Sequence, residues 1–193
     1  MTPALLLAAG ASQRLGRPKA LLPYRGSSLI EHAAETLLAA GCQPVLVVLG
    51  AEKDKARARV KGLPVGIVEC DDAKEGMSAS IRAGVEALAT AAPAAAGLLL
   101  ALVDQPLVTA GLLERLIEAG SEGGLAASDY GEAIGPPAYF AREYFAELTS
   151  LRGDRGAKRI LQTHRDRLRL VEFPGGALDV DRSTDYERLL SGS

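Results

Sequence analysis

The chain has 193 residues and carries 22 Lys and Arg against 24 Asp and Glu, a formal net charge of −2. That length suits one domain with a substantial core, and so even a charge balance argues against a nucleic-acid or membrane-surface partner. Two Cys and two His, none at ligand spacing, leave no material for a zinc cluster, a covalent triad or a disulfide framework.

Met1-Thr2-Pro3 lacks a basic leader, and Ala4–Ala9 is far too short for a signal or a span. The apolar stretch Ala91–Val103 is broken by Pro93 and Gly97 and runs into Asp104. A soluble cytoplasmic protein is therefore expected. Cys42 and Cys70 sit at the edges of apolar runs and read as buried free thiols. His32 and His164 stand alone in helical contexts and read as structural or surface residues.

Ala4–Ala8 is an uncharged apolar run of strand length. It breaks into Ala9-Gly10-Ala11-Ser12, whose small side chains let a ligand approach the backbone. Arg14, Gly16, Arg17 and Lys19 follow. A strand running into a small, glycine-containing loop offers backbone N–H groups to an anion, and nearby cations add charge-assisted hydrogen bonds. No GK[ST] closes the loop and no GxGxxG is present, so neither common nucleotide fingerprint fits.

Ser27 or Ser28 then caps a helix reaching about Ala40, with Glu31 placed for a capping box and Gly41 as the stop. Pro44–Gly50 reads as a buried strand, Glu52–Lys61 as a charged surface helix and Leu63–Val68 as a third strand. From Gly76 to about Ala91 a helix aligns Ile81, Val85 and Leu88 on one face. Gly97–Val103 is the most apolar strand and is expected to be central. Thr109 caps a helix to Ala119.

The last third changes character. Gly123–Ser128 and Ala133–Pro136 are short strand-like pieces around Tyr130-Gly131, and Arg142–Leu148 reads as a helix. The polar loop Arg152-Gly153-Asp154-Arg155-Gly156 leads into a helix over Ala157–His164. A strand at Leu168–Val171, a loop through Pro174-Gly175-Gly176 and a helix from Ser183 close the chain. No internal repeat is visible.

Strand and helix alternate through the first two thirds, which predicts an α/β fold with a largely parallel sheet covered on both faces. Ligands in such sheets lie beyond the carboxyl ends of the strands, near a topological switch point. The loops carrying Gly10–Lys19 and Asp104–Pro106 are thus expected at one edge. Asp104 leaves the core in Val103-Asp104-Gln105-Pro106, where a hard oxygen ligand could serve a cation on phosphate oxygens. The other reading, an Asp that caps the next helix, is weakened because Thr109 already fits the cap. Asp179 and Asp181 alternate on one extended face and could supply a second carboxylate. The competing reading is that Asp181 or Ser183 caps the last helix while Asp185 favours its dipole. Gly76, Ser78 and Ser80 open a helix, and their bland reading is an N-cap.

The string Leu7-Ala8-Ala9-Gly10-x-Ser12-x-Arg14-x-Gly16-x-Pro18-Lys19-x-Leu21-Leu22-Pro23 resembles the signature loop of the nucleotidyltransferases with a GT-A-like, Rossmann-like fold. Among them it is most similar to the molybdopterin nucleotidyltransferases, the molybdenum cofactor cytidylyltransferases in particular. Glu75–Ser80, Val103–Pro106, Gly135-Pro136-Pro137, Arg152–Lys158 and Asp179–Tyr186 occur in that family's order, so the resemblance covers essentially the whole chain. It implies a single nucleotidyltransferase domain, with 1–120 as the nucleotide-binding part and 121–193 as the acceptor-binding and closing part.

What the resemblance implies for residues is specific. Leu7, Ala8, Ala9, Gly10, Arg14, Lys19, Gly76, Ser78, Ser80 and Asp104 would bind the nucleotide. Gln105, Pro106, Gly135, Pro136, Pro137, Gly153 and Asp154 would line the acceptor side. Arg14 would hold the β and γ phosphates and Lys19 the α phosphate, with Mg2+ (Mn2+ being the other candidate) on Asp104 and Asp181. Arg182 ahead of Ser183-Thr184 departs slightly from the family's run, which leaves Asp179 and Asp181 both open as the second ligand. The loop reads Leu-Ala-Ala-Gly as in the cytidylyl-transferring branch, where the guanylyl-transferring branch has Leu-Ala-Gly-Gly. CTP and molybdopterin are the implied substrates, pyrophosphate the by-product, and a molybdoenzyme or its chaperone the receiver of the cytosine dinucleotide product. The runners-up are a cytidylyl- or uridylyltransferase acting on a sugar or polyol phosphate, and a non-catalytic nucleotide- or cofactor-binding protein.

Overall fold

The computed structural model describes residues 1–10, 15–50, 53–153, 156–177 and 179–191. Ala4–Ala8 (β1) is buried at every position and lies inside a seven-stranded sheet. A short hairpin, Pro23–Tyr24 (β2) with Ser27–Ser28 (β3), precedes the helix Leu29–Ala39 (α1). Next come Val45–Leu49 (β4), Lys53–Val60 (α2), Val65–Glu69 (β5), Met77–Ala91 (α3) and Gly97–Leu102 (β6). Ala110–Gly123 (α4), Leu125–Asp129 (β7), Ile134–Ala141 (β8), Phe145–Ser150 (α5), Lys158–Thr163 (α6), Arg169–Glu172 (β9) and Ser183–Ser191 (α7) complete the described elements.

The sheet order is β5-β4-β1-β6-β8-β7-β9. β5, β4, β1 and β6 pair in parallel, β8 runs antiparallel to both β6 and β7, and β9 pairs in parallel with β7. The chain winds outward from β1 to β4 and β5, then returns through α3 to place β6 on the other side of β1. The direction of winding reverses between β1 and β6, which makes the gap beyond their carboxyl ends the switch point.

Strand alternation builds two cores. Leu6, Val47 and Leu99 face α1 and α4 with Ile30, Leu113 and Leu116, whereas Leu5, Val48 and Leu100 face α3 and α6 with Ile81, Leu88 and Leu161. Burying strands on both faces is why β1, β4 and β6 read as continuous apolar runs. The Ser28 N–H donates to the Glu31 carboxylate at 3.0 Å, so the capping box predicted for α1 is present. The Thr109 hydroxyl accepts from the Leu112 N–H at 3.3 Å. No helix among the described residues is long and apolar enough to cross a membrane.

Three elements differ from the sequence reading. The piece expected at Ala133–Pro136 is an eight-residue strand to Ala141, because Ala138 and Phe140 are fully buried in the middle of the sheet. α4 runs on to Gly123, one turn past Ala119, and stops where Gly124 takes a φ of 83°. The β2–β3 hairpin was not read at all. Its turn is Arg25-Gly26, with φ of 47° and 84°, a left-handed pair rarely signalled by Arg.

Candidate active site

Two backbone bonds assemble the carboxyl edge of the sheet. The Val103 N–H donates to the Leu7 carbonyl at 3.2 Å, which holds Val103-Asp104-Gln105-Pro106 beside the end of β1. The Val180 N–H donates to the Asp104 carbonyl at 3.0 Å, and Val180 itself is fully buried. That anchor carries Asp181 to the same edge from the far end of the chain. The Asp185 carboxylate accepts from the Arg182 N–H at 2.7 Å and the Asp181 N–H at 3.2 Å. Asp185 therefore serves the start of α7, and the Asp181 side chain is left to face the cleft.

Lys19 enters from the loop after β1. Pro18 sets the extended backbone before a single 3-10 turn over Lys19–Leu21. Lys19 Nζ lies 2.8 Å from Asp104 Oδ2 and 2.7 Å from Asp181 Oδ1. The Lys19 and Asp104 side chains are 13% and 18% exposed and that of Asp181 is 47% exposed. Burial alone would lower the Lys19 pKa, but Asp104 and then Asp181 overcome it and hold the ammonium above its ordinary value. Asp104 Oδ1 is buried without a hydrogen-bond partner.

Asp179 lies two residues before Asp181, exposed by surface area but hemmed in on one side. Its carboxyl is pushed up to about 6, by lost hydration first and then by the charge of Asp104. Gln105, only 4% exposed, binds it and opposes that shift. Gln105 Nε2 also donates to the Tyr130 hydroxyl at 3.1 Å, and that hydroxyl donates to the Pro136 carbonyl. Since the hydroxyl proton is spent on Pro136, the amide must present its nitrogen here, which leaves Oε1 buried and unpartnered.

The Tyr130 ring packs edge-on against Phe173 at 6.2 Å and rests on glycines. A Cβ at Gly135 would come 2.9 Å from its hydroxyl, and one at Gly176 would overlap the ring. Gly135, Pro136 and Pro137 lie in β8, and Tyr130 links them to Gln105. Pro106 is anchored through its carbonyl by His32 Nε2 at 3.1 Å, a structural use of that histidine.

The other flank is the start of α3. Gly76 takes a φ of 102°, and the Ser78 N–H donates to the Gly153 carbonyl at 3.4 Å. Arg82 donates to the Leu151 carbonyl at 2.9 Å and to Glu75 at 3.1 Å, clamping the two loops together. Ser78 Oγ is buried and unpartnered, while the Ser80 hydroxyl is buried against Cys70. At the end of β1, Ala9 is buried close to Gly50 and Ala73. A Cβ at Gly50 would lie 2.7 Å from the Ala9 carbonyl and 3.1 Å from the Ala9 methyl.

The structure thus brings Lys19, Asp104 and Asp181 into contact, with Gln105 and Asp179 beside them. Ser78 and Gly153 meet on the other flank. Arg14 and Asp154 lie outside the described residues. Arg82, Tyr130 and Phe173 are not among the site residues that the sequence suggests. Arg82 had one signal, being the first charge along an otherwise uncharged helix start.

Among the described residues no three His, Cys, Asp or Glu groups are placed to hold a metal by themselves. A divalent cation bound by two carboxylates and completed by phosphate oxygens and water needs no third protein group. Hard oxygens from Asp104 and Asp181, one of them buried and unpartnered on Asp104, suit that chemistry.

A family model described as the MobA-like NTP transferase domain matches residues 4–168. A probable molybdenum cofactor guanylyltransferase of Opitutus terrae is 31% identical over 176 residues, 88% of this chain and 83% of that protein. A protein named nicotine blue oxidoreductase from Paenarthrobacter nicotinovorans is 44% identical over 133 residues, 68% of this chain but only 63% of that protein's length. The Rv0371c protein of Mycobacterium tuberculosis H37Rv, solved in complex with manganese, matches with a TM-score of 0.80 at 32% identity, covering 100% of this chain and 99% of that chain.

Proposed function

The chain belongs to the MobA-like NTP transferase family, and from that premise we propose that it transfers CMP from CTP to molybdopterin with release of pyrophosphate. The observation that carries the reading is the Asp104–Lys19–Asp181 cluster at the switch point of the sheet. A binding module gains nothing from packing two carboxylates around one partly buried lysine. An enzyme handling a triphosphate needs both a cation for the phosphates and carboxylates for a metal.

An acceptor phosphate oxygen attacks the α-phosphorus in line, a new P–O bond forms, and the bond to the β-phosphate bridge breaks to free pyrophosphate. No general base is needed, because a phosphate monoester is already ionised at neutral pH. Asp104 and Asp181 would hold a divalent cation, which supplies charge neutralisation on the phosphate oxygens. Lys19 would hold the α phosphate, and Arg14 is proposed for the β and γ phosphates.

Gly76, Ser78 and the end of β1 (Leu7, Ala8, Ala9, Gly10) form the proposed nucleotide flank. Ser80 would act there from behind, through its packing on Cys70. Ala9 stands where the guanylyl-transferring branch has a glycine, and that resemblance supports CTP over GTP. Gln105, Pro106, Gly135, Pro136, Pro137, Gly153 and Asp154 are assigned to the acceptor side. There Gln105 and Tyr130 supply the polar and planar surface that a pterin would use.

Pyrophosphate release should be measured with molybdopterin and Mg2+ or Mn2+, using CTP, GTP, ATP and UTP separately. Release with CTP alone is expected. Release with GTP alone would move the chain to guanylyl transfer, in keeping with the Opitutus relative's name. Release only with a sugar or polyol phosphate would change the acceptor. The 44% identity to a protein named nicotine blue oxidoreductase favours one further arm. Redox turnover of nicotine blue, with no pyrophosphate from any pair, would replace transfer by redox chemistry.

A further inference from the structure

We infer that Lys19 is a resident counter-ion that stands in the metal position, so that nucleotide and divalent cation enter this site together by exchange with it. The inference rests on the nucleotidyltransferase reading above and adds to it a role for Lys19 before any substrate binds. One ammonium touches both Asp104 Oδ2 and Asp181 Oδ1, at 2.8 and 2.7 Å. A divalent cation held by Asp104 and Asp181 would need the oxygens that now accept from Nζ. The ammonium and a metal would therefore compete for the same two carboxylates.

Three features make the pairing more than a surface contact. Lys19 and Asp104 are both largely withdrawn from water. Asp104 Oδ1 is closed off from solvent and has no partner, so the carboxylate is held through Oδ2 by Lys19. The two carboxylates come from chain positions 77 residues apart (181 − 104), brought to one edge by the Val180–Asp104 backbone bond. Without a cation between them they would face each other across a partly buried gap at a cost in repulsion and lost hydration. Lys19 removes that cost in the empty protein.

An arriving triphosphate gives the ammonium a second anion to pair with. When Lys19 swings to the phosphates, the vacated carboxylates accept the metal, and every charge remains paired throughout. A metal arriving alone must instead displace the ammonium from both carboxylates before any phosphate is there to receive it. Metal and nucleotide binding are accordingly coupled, each raising the affinity for the other by the same factor.

The test is Mn2+ binding, read by electron paramagnetic resonance on the whole chain, with and without CTP and with no acceptor present. In the natural protein Mn2+ alone is expected to bind weakly, and CTP to tighten it. Lys19→Met should tighten Mn2+ binding without CTP by roughly tenfold or more, and most of the CTP effect should vanish. Lys19→Gln, which still donates one hydrogen bond, should fall between the two and serves if the Met variant does not fold. Arg17→Met removes one nearby charge without touching the pair, and should leave Mn2+ binding almost unchanged. If Lys19→Met binds Mn2+ no better than the natural protein, or if Arg17→Met has the same effect as Lys19→Met, the counter-ion role is wrong. If CTP binds and turns over in the natural protein but Mn2+ affinity is indifferent to it, the exchange fails and the transferase reading survives. If neither CTP nor Mn2+ binds at all, both fall together.

Discussion

The Val180 N–H donates to the Asp104 carbonyl oxygen at 3.0 Å, tying the segment before the last helix to the end of the central strand. Through that bond Asp181 reaches Lys19, and residues from three distant stretches share one cleft. The first expectation follows from Asp104 itself. Asp104→Asn keeps the side-chain shape and leaves Lys19 paired with Asp181, so folding should be retained. Nucleotidyl transfer should fall by about two to three orders of magnitude, read as pyrophosphate release, with the melting temperature shifted only slightly. Unchanged turnover in the variant would remove Asp104 from the chemistry.

Arg82 couples the proposed nucleotide flank at the start of α3 to the loop at Leu151–Gly153. Its bond to the Leu151 carbonyl is partly buried, while its pairing with Glu75 is at the surface and contributes little. Arg82→Met should cost about 1–2 kcal/mol of stability and raise the KM for nucleotide several-fold with kcat nearly constant. Arg82→Lys, which can still donate once, should recover part of the KM. A loss of stability with KM unmoved would leave Arg82 a structural role only.

Two glycines of α4 should respond to the same substitution with opposite sign. Gly120 is buried against the Tyr139 ring, and a Cβ there would overlap it. Gly120→Ala should destabilise by about 1–3 kcal/mol in urea unfolding. Gly111 is exposed with nothing within 4 Å of an added Cβ, so Gly111→Ala should stabilise by up to about 1 kcal/mol. Destabilisation by both would mean that helix propensity, not the contact with Tyr139, is the wrong variable.

Cys42 offers a pH readout remote from the site. Burial pushes its thiol up from 9.0 to about 11. Below about 9 both folded and unfolded chains keep the proton, so Cys42 adds no slope. Between about 9 and about 11 the unfolded chain releases it while the folded chain holds it, so stability falls as pH rises through that window. Cys42→Ala should flatten this part of the stability profile. In the native protein the thiol should resist alkylation at neutral pH and react on unfolding, because the thiolate is the reactive form.

Local chemistry in the sequence determined most of the elements and one half of the site. Uninterrupted apolar runs marked β1, β4 and β6 because strands buried on both faces have no polar side to show. Ser28 with Glu31, and Thr109, announced their helices because caps act within one turn of chain. Asp104 and Lys19 were legible because each directly follows a recognisable strand or loop. The tertiary structure alone decided which carboxylate of Asp179 and Asp181 meets Lys19. Both alternate on one extended segment, and the Val180–Asp104 bond sets their register against the end of β6. It also decided that β8, with prolines at 136 and 137, lies inside the sheet between β6 and β7, where Tyr139 fits over Gly97 and Gly120. Contacts of that kind join residues far apart in the chain through complementary shape, and no local pattern encodes a shape that only the partner completes.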